Sequence, residues 1–471
     1  MTVVERKFIE LSGIVYDAKI YPREKWSSHT VKVYVDALKG GAEFPPIILE
    51  EGTNRLIDGV HRWKAYQDYL AAYREAEKET QELEGWAEPK TEIEAEWHTI
   101  PDGIPAKLYA AQFSCEHGDR ITPAERKALA REVYEAHPDF VLETLREHLK
   151  VSVGTAHSYV ADILARRKEE KKMTAYRLNL LGWTQEEIGE VVGMSRQWVD
   201  KNLPLFSTLK KVAKNLLSEG HPHLDVAERY NMPLILVWAI DLSGHTDQER
   251  MNKLGIKIQP YDHWSFSTCH DLFGATYPGR IPGQLVAHAL YFYTEPGAMV
   301  FDPMAGSGTT IDVCLAMGRQ CYAYDASPKR LDIMAQNLKG GWADRLKKAD
   351  LVFWDPPYFK KVDKGYSGES ISRLGRERYL SFFSERLTEA HQLVKKGAKL
   401  AFLMSDWNDE QSQSGIFLWD YADIIRQAGW RLIRHIQTPL STQQIHPDIV
   451  KKFRNSKRLA RLERYLLIAE K

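Results

Sequence analysis

The sequence predicts a multidomain α/β protein: a small α+β domain, then a helical middle, then an open α/β sheet. Three observations predict it. Residues 298–317 read as apolar strand, glycine turn and helix in immediate succession. Residues 123–205 carry helix caps and turn glycines with no alternating strand pattern. Two short apolar runs near residue 50 are joined by Gly52-Thr53-Asn54, a hairpin-like turn. A chain of 471 residues has room for two to four domains, and the composition shifts put their expected bounds at 1–122, 123–205, 206–260 and 261–471.

In the first segment, Pro46–Leu49 and Arg55–Ile57 are the expected strands. They lead into Asp58-Gly59-Val60-His61-Arg62, which opens a helix with a glycine, a histidine and an arginine. Gly59, His61 and Arg62 thereby form a candidate anion site at a helix N-terminus. The charge-dense stretch Ala72–Lys90 is expected to be an exposed, inserted helix.

The middle carries a helix, a turn and a second helix twice. In the clearer copy, Thr184 caps the first helix with Glu187 as its capping-box partner, Gly193 makes the turn, and Ser195 caps the second helix. Ile188, Val192, Met194 and Val199 are the expected small core. Ser195, Arg196, Gln197 and Lys201 then face base edges or phosphates. The weaker copy runs Leu142–Leu149, a turn at Lys150–Ser152, and Val153–Ile163, presenting Thr155, His157 and Ser158. Arg166, Arg167, Lys168, Lys171 and Lys172 between the copies are candidate phosphate contacts. Double-stranded DNA is the partner these features suggest. A third such segment, Leu224–Leu242, is more apolar and is expected to pack against the following domain.

In the last segment, Ala298–Phe301 is a buried strand and Gly306 and Gly308 form the turn before a helix from about Thr310 to Met317. Glycines there let a ligand approach the backbone closely at the carboxyl end of a strand. The next strand, Cys321–Tyr324, ends at Asp325, an acid placed to accept from ribose hydroxyls. The spacing is not the Gly-x-Gly-x-x-Gly of nicotinamide enzymes. A further strand, Asp350–Trp354, ends in Asp355-Pro356-Pro357-Tyr358. Two prolines fix φ and remove two donors, so this stiff loop presents acceptors. Helices near 379–394 and 416–428 and strands near 399–404, 431–438 and 464–469 complete the segment.

Phe301-Asp302-Pro303-Met304-Ala305-Gly306-Ser307-Gly308-Thr309-Thr310, followed by Asp355-Pro356-Pro357-Tyr358, resembles the amino-methylating DNA methyltransferases of bacteria and their phages. The resemblance implies a Rossmann-like S-adenosylmethionine methyltransferase with a seven-stranded sheet. It implies cofactor contacts from Asp302, Pro303, Ala305, Gly306, Ser307, Gly308, Thr309 and Asp325, with Phe266 and Arg280 against the methionine part. It assigns catalysis to Asp355, Pro356, Pro357 and Tyr358: carboxylate and carbonyl accept the amino hydrogens, and Tyr358 stacks on the flipped base. The Asp form of the motif is commoner on adenine N6, with cytosine N4 or an RNA amino group as alternatives. A DNA-binding regulator with a degenerate methyltransferase domain is the alternative of another class. With no separate recognition domain after Tyr358, the middle helices are expected to supply DNA affinity, the Lys360–Arg376 loop to clamp the base, and Lys451–Arg458 to contact phosphate.

The first domain, with its helix–turn–helix after it, resembles ParB-like chromosome-partition proteins, a fold shared with sulfiredoxin. The resemblance implies CTP as a ligand of Gly59, His61 and Arg62, with a second motif near Ser114–Arg120. Sulfiredoxin chemistry needs a cysteine before the His-Arg pair, and Val60 stands there.

Composition adds bounds. Lys+Arg and Asp+Glu both count 64, so this is not a strongly basic coat protein. The four cysteines have no metal spacing and are expected to pack as small apolar residues, so no metal site is expected. No apolar run is long enough for a membrane span and no signal core opens the chain, so a reduced cytoplasmic compartment is expected. No endonuclease motif is evident; a solitary methyltransferase is expected, and a homodimer and a separate restriction nuclease stay open.

Overall fold

The computed structural model describes residues 3–23, 25–79, 83–116, 120–276, 279–360, 370–409, 414–439, 447–457 and 463–471. The chain divides into two units, Met1–Lys168 and Glu169–Lys471. This single boundary differs from the expected ones at 122, 205 and 260. The reason is packing: apolar faces of the helices between 173 and 256 are buried in the same core as the sheet that follows.

The first unit has a four-stranded sheet of β1 (Val3–Glu10), β2 (Ile47–Glu50), β3 (Leu56–Asp58) and β4 (Glu92–His98), in the order β1-β4-β2-β3. The expected hairpin is β2–β3, antiparallel, with Gly52 and Asn54 at positive φ in its turn. Helices Ser28–Lys39 and Val60–Lys78 bury Val31, Leu38, Trp63, Tyr66 and Tyr69 in this unit's core. The expected inserted helix is instead the end of the helix from Val60, which stops at Lys78. Helices Ala106–Glu116, Pro123–Ala136 and Leu142–Leu149 and the start of Val153–Leu180 build a second core around Leu129, Leu145, Val160 and Ile163.

The weaker helix–turn–helix begins as expected: Leu142–Leu149, then Lys150 at φ 52°. Its second helix runs on to Leu180 rather than ending near Ile163. The basic run between the two copies is therefore helix, and part of it is engaged internally. Arg166 pairs with Glu135 at 2.7 Å, and Arg167 donates to the Pro138 carbonyl at 3.0 Å and to the Tyr134 carbonyl. Arg166 thus lies in an exposed ion pair, and Arg167 is held against the end of the helix Pro123–Ala136.

In the second unit, the clearer copy folds as its caps predict. Thr184 and Glu187 form the capping box, Gly193 turns at φ 62°, and the Ser195 hydroxyl accepts from Trp198 N–H at 3.2 Å at the head of Arg196–Ser218. Ile188, Val192 and Val199 are buried and Met194 is half-buried. The third, apolar segment forms His223–Arg229 and Leu234–Asp241, and the latter buries Leu236, Val237 and Ile240 in the common core.

The sheet comprises β5 (Met299–Asp302), β6 (Gln320–Asp325), β7 (Met334–Ala335), β8 (Leu351–Trp354), β9 (Lys399–Met404), β12 (Arg431–Gln437) and β13 (Tyr465–Glu470). A separate two-stranded hairpin, β10 (Trp407–Asp409) and β11 (Ser414–Ile416), follows β9. The order is β12-β13-β9-β8-β5-β6-β7; β5 to β9 are parallel, and β13 runs antiparallel to both β9 and β12. Seven strands agree with expectation. Between β6 and β8 lie β7 and two short 3-10 turns, so the connection is looser than a plain strand–helix unit. The chain moves outward from β5 to β6 and β7, then returns to β8 on the other side. This reversal leaves a crevice at the carboxyl ends of β5 and β8, where such sheets bind ligands.

The helix Thr309–Met317 is buried along its whole length, with a built-in anchor at its C-terminus. The buried Arg319 guanidinium donates to Asp247 at 2.7 Å and to the Met317 carbonyl at 2.7 Å, and Arg250 donates to the same carbonyl. Two cations at the negative end of the helix satisfy its last carbonyl, that of Met317. Among the described residues no helix is long and apolar enough to cross a membrane, and no His/Cys/Asp/Glu group is placed to hold a metal. Cys115, Cys314 and Cys321 are buried.

Candidate active site

Three carboxylates meet where the sheet reverses: Asp302 ends β5, Asp325 ends β6, and Asp355 follows β8. Asp302 is buried. Its Oδ1 accepts from Met304 N–H at 3.0 Å, and the Thr310 hydroxyl also bonds it. Burial pushes its carboxyl up to about 7; the bonds from Thr310 and Met304 oppose this, and the negative charges of Asp355 and Asp325 add to it.

The glycine loop is tied down from two sides. Ala305 N–H donates to the Tyr324 carbonyl at 2.8 Å, and Gly306 N–H donates to Asp325 Oδ2 at 3.0 Å. Asp325 Oδ1 accepts from Ser327 N–H at 2.9 Å. On the other side, Arg330 Nη1 donates to the Ser307 carbonyl at 3.2 Å, and its guanidinium pairs with Asp312 at 2.8 Å and Asp332 at 2.7 Å. Burial works against the Arg330 charge, but the two carboxylates outweigh it. Gly308 has φ 84°, and a Cβ there would lie 2.7 Å from Arg330 Cζ. At Gly306, φ 52°, an added Cβ would meet nothing within 4 Å, so the loop has open room above it. An apolar cleft adjoins, lined by Phe301, Pro303, Tyr324, Gln336, Leu338, Trp342 and Ala343.

The structure brings Arg280 to this loop, though indirectly. Its Nη1 donates to the Gly274 carbonyl at 3.0 Å, while Gly274 N–H donates to Asp312 at 2.8 Å and Ala275 N–H to the Ser307 carbonyl at 3.4 Å. Phe266 packs instead on His288, ring centroids 5.3 Å apart, on the helix Gly283–Tyr293.

At the second motif, the Tyr358 hydroxyl donates to Asp355 Oδ1 at 3.1 Å, and the Tyr379 hydroxyl donates to the Pro357 carbonyl at 3.0 Å. Burial and the Asp355 charge push the Tyr358 hydroxyl well above its ordinary range, against the pull of the Arg464 guanidinium. Pro356 is buried and the Tyr358 ring is partly exposed. Phe359 and Trp407 make an edge contact at 4.8 Å, with the Lys360 ammonium 4.6 Å from the Trp407 ring. Most of the Lys360–Arg376 loop lies outside the described residues. At its far end Arg376 donates to the Gly415 carbonyl at 2.8 Å. Of Lys451–Arg458, the backbone to Asn455 is helical, and Arg458 lies outside the described residues.

Sequence reasoning missed Asp312, Arg330, Asp332 and Arg464. A lone Asp in the apolar run Thr309–Met317 was the available signal for the first. It also missed the second role of Glu187. That carboxylate accepts from Arg345 Nε at 3.1 Å and from the Tyr322 hydroxyl at 3.1 Å, and Trp183 Nε1 donates to the Cys321 carbonyl at 2.7 Å. Burial alone would raise the Glu187 carboxyl; the Thr184 N–H, Arg345 and Tyr322 outweigh it and hold it low.

Away from the crevice, Ser195, Arg196, Gln197 and Lys201 are exposed, with Arg196 2.5 Å from Glu186. Thr155 bonds its cap Ser152, hydroxyl to hydroxyl, at 2.9 Å, and His157 is exposed, both in the first unit. The candidate anion residues there are committed to the fold. Gly59 turns at φ 96° against Ile47, His61 Nε2 accepts from Ser27 N–H at 2.9 Å, and Arg62 donates to the carbonyls of Pro45 (2.9 Å) and Pro46 (2.8 Å) and to Asp58 (2.8 Å). Of the second motif, residues 117–119 lie outside the described residues.

Comparison with known structures finds similarity to TrmN from Thermus thermophilus, 17% identical over 41% of this chain, TM-score 0.26. The chain spans about half of that protein, 49%. It also finds a Burkholderia thailandensis 1,6-didemethyltoxoflavin-N1-methyltransferase, 13% identical over 40% of this chain and 76% of that one, TM-score 0.27. A third is the truncated chromosome-partitioning protein ParB from Caulobacter crescentus, solved with CTP-gamma-S: 10% identical over 33% of this chain and 76% of that one, TM-score 0.18. Residues 140–336, which include the glycine loop and Asp325, match a family model described as DNA methylase, and this part of the chain is similar to that family.

Proposed function

We propose that this protein is an S-adenosylmethionine-dependent DNA methyltransferase that methylates the N6 amino group of an adenine turned out of the duplex. The observation that carries the reading is the convergence of Asp302, Asp325 and Asp355 around a glycine loop where the sheet reverses. The match of residues 140–336 to DNA methylases supports the same chemistry. Adenine is preferred because the Asp form of the second motif is commoner on adenine in the family it resembles.

The crevice suits the cofactor. The open room above Gly306 and the acid at the end of β6 match a ligand with a backbone-hugging tail and a ribose, and the apolar side chains of Phe301, Tyr324 and Trp342 beside them would flank a flat ring. Asp325 would take the ribose hydroxyls, the loop from Pro303 to Thr309 the methionine part, and the apolar side chains beside β6 would flank the adenine. Bound there, S-adenosylmethionine supplies an electrophilic methyl group on a sulfonium. Asp355 and the Pro356 carbonyl would each accept one hydrogen of the target amino group. That would turn the nitrogen lone pair toward the methyl carbon, and Asp355 would take the proton released as the new C–N bond forms. Most of the rate is then owed to positioning. The exposed starts of the helices from Val153 and Arg196 are the surfaces proposed for DNA.

The test is transfer of a labelled methyl group to duplex DNA by the wild type and by Asp355→Ala, with cofactor binding measured in parallel. The reading expects transfer by the wild type, loss in the variant, and retained cofactor binding. Loss of binding as well would overturn the role given to Asp355.

A further inference from the structure

Resting on the DNA-methyltransferase reading, we propose that the Phe417–Trp419 ring stack beside the Asp355–Tyr358 loop is a second nucleic-acid contact, on which an unpaired base of the DNA stacks. Trp419 is 62% exposed, although one face of its indole is already covered. The Phe417 ring lies against it, with centroids 4.7 Å apart and planes 22° apart. The outer face of the indole is therefore open to solvent. The stack has a fixed support. Gly415 leaves the space that the Phe417 ring fills, since a Cβ there would collide with the ring. Phe417 N–H donates to Asp420 Oδ2 at 2.8 Å, at the head of the helix Leu418–Gln427 that carries Trp419. A flat apolar face held rigidly in water fits a flat ligand.

Place and charge say what that ligand is. Trp407 of β10 pairs in register with Ile416 of β11, the residue before Phe417. The Trp407 ring meets Phe359, the residue after Tyr358, at 4.8 Å. Arg376 ties the other side: its Nε donates to the Gly415 carbonyl at 2.8 Å, and its Nη2 pairs with Asp420 at 3.2 Å. The chain around Arg376 is basic. Arg373 and Arg378 are exposed, and among the described residues neither forms a salt bridge or a side-chain hydrogen bond. Glu377 is the acid between them, while Asp420 is taken up by Arg376 and the Phe417 N–H. The Lys360 ammonium adds a further positive charge, 4.6 Å from the Trp407 ring. Cations beside an open aromatic face suit a single strand: phosphates meet the guanidinium groups, and a base of any identity stacks on the ring. Turning the target base out of the duplex leaves its former partner unpaired, so the reaction itself supplies such a base.

The test uses the full-length protein and a short labelled oligothymidylate, whose bases are unpaired and carry no amino group for the transfer site. Affinity is measured by fluorescence anisotropy over a range of salt concentrations, with Tm, cofactor affinity and solution mass for each protein. Trp419→Ala is expected to weaken binding about tenfold, and Trp419→Phe less than about threefold, because any flat ring can stack. Tm and cofactor affinity should stay at their wild-type values in both. Replacing Arg373 and Arg378 together by Gln should weaken binding and flatten its log–log salt dependence by about 1.4, the slope of two phosphate contacts to a single strand. Unchanged affinity in Trp419→Ala, or a wild type that does not bind the oligomer, would overturn the proposal. A lower solution mass for Trp419→Ala at unchanged affinity would overturn it too, and assign the face to a second copy of the chain. Methyl transfer to duplex DNA is scored separately. Its absence in the wild type removes the methyltransferase reading, while the oligothymidylate result still decides whether the stack takes an unpaired base.

Discussion

Asp302 is a carboxylic acid held close to neutrality inside the sheet, and its replacement by Asn has a calculable consequence. Burial beside Asp355 and Asp325 raises its carboxyl from 3.8 to about 7. The folded state therefore holds a proton that the unfolded chain releases between about pH 4 and pH 7. Stability falls with rising pH across that window and is flat with respect to this group above it. The shift amounts to a loss on the order of 4 kcal/mol at pH 8 relative to pH 4. Asn has the same shape and stays neutral. Its amide oxygen can accept from Met304 N–H, and its NH2 can donate to the Thr310 hydroxyl. Asp302→Asn is thus expected to be less stable than, or equal to, the wild type at pH 4.5 and to gain on it steadily up to about pH 7. Urea unfolding at half-unit pH steps measures the difference directly. A cationic ligand in this crevice should also bind more tightly to the wild type above pH 7 than below, and Asp302→Asn should lose that dependence. Parallel stability profiles for the two proteins would refute the placement of the proton on Asp302.

Gly308→Ala combines a strained φ of 84° with a Cβ against Arg330, which its two carboxylates prevent from moving; a loss of about 2–4 kcal/mol and a Tm lower by roughly 5–10 °C are expected in thermal melts. Arg330→Met leaves Asp312 without its strongest partner, while Asp332 keeps Arg177 at 3.2 Å; about 3–5 kcal/mol should be lost, together with cofactor affinity, by urea unfolding and calorimetric titration. Replacing Arg196 and Gln197 together by Ala should weaken DNA binding, lower its salt dependence by about one counterion and leave cofactor affinity unchanged; unchanged DNA affinity would remove that helix from the interface.

What could be read in the residues was local. The strand before Asp302, the strand before Asp355 and the strand Lys399–Met404 stand where short apolar runs put them, because a buried parallel strand needs little beyond such a run. The caps at Thr184 and Ser195 and the turn at Gly193 folded as expected because each acts within three residues of itself. Partners far apart in the chain were not legible. Nothing near Glu187 announces Arg345. The division at Lys168 was hidden for the same reason: helices that look like an independent module bury Ile188, Leu236 and Ile240 in the core of the sheet. Arg62, a residue type suited to anions, also donates to the Pro45 and Pro46 carbonyls and to Asp58, ties that the motif alone does not announce.

The central claim is amino-methylation of DNA through Asp355. Its most direct test is to express the protein and Asp355→Ala in a host without methylation of its own and map modified bases by single-molecule sequencing. N6-methyladenine in a defined sequence context is expected with the wild type, and none with the variant. Modified cytosine would keep the chemistry and replace the base, whereas unmodified DNA with the wild type, from cells in which the protein is folded and binds S-adenosylmethionine, would contradict it.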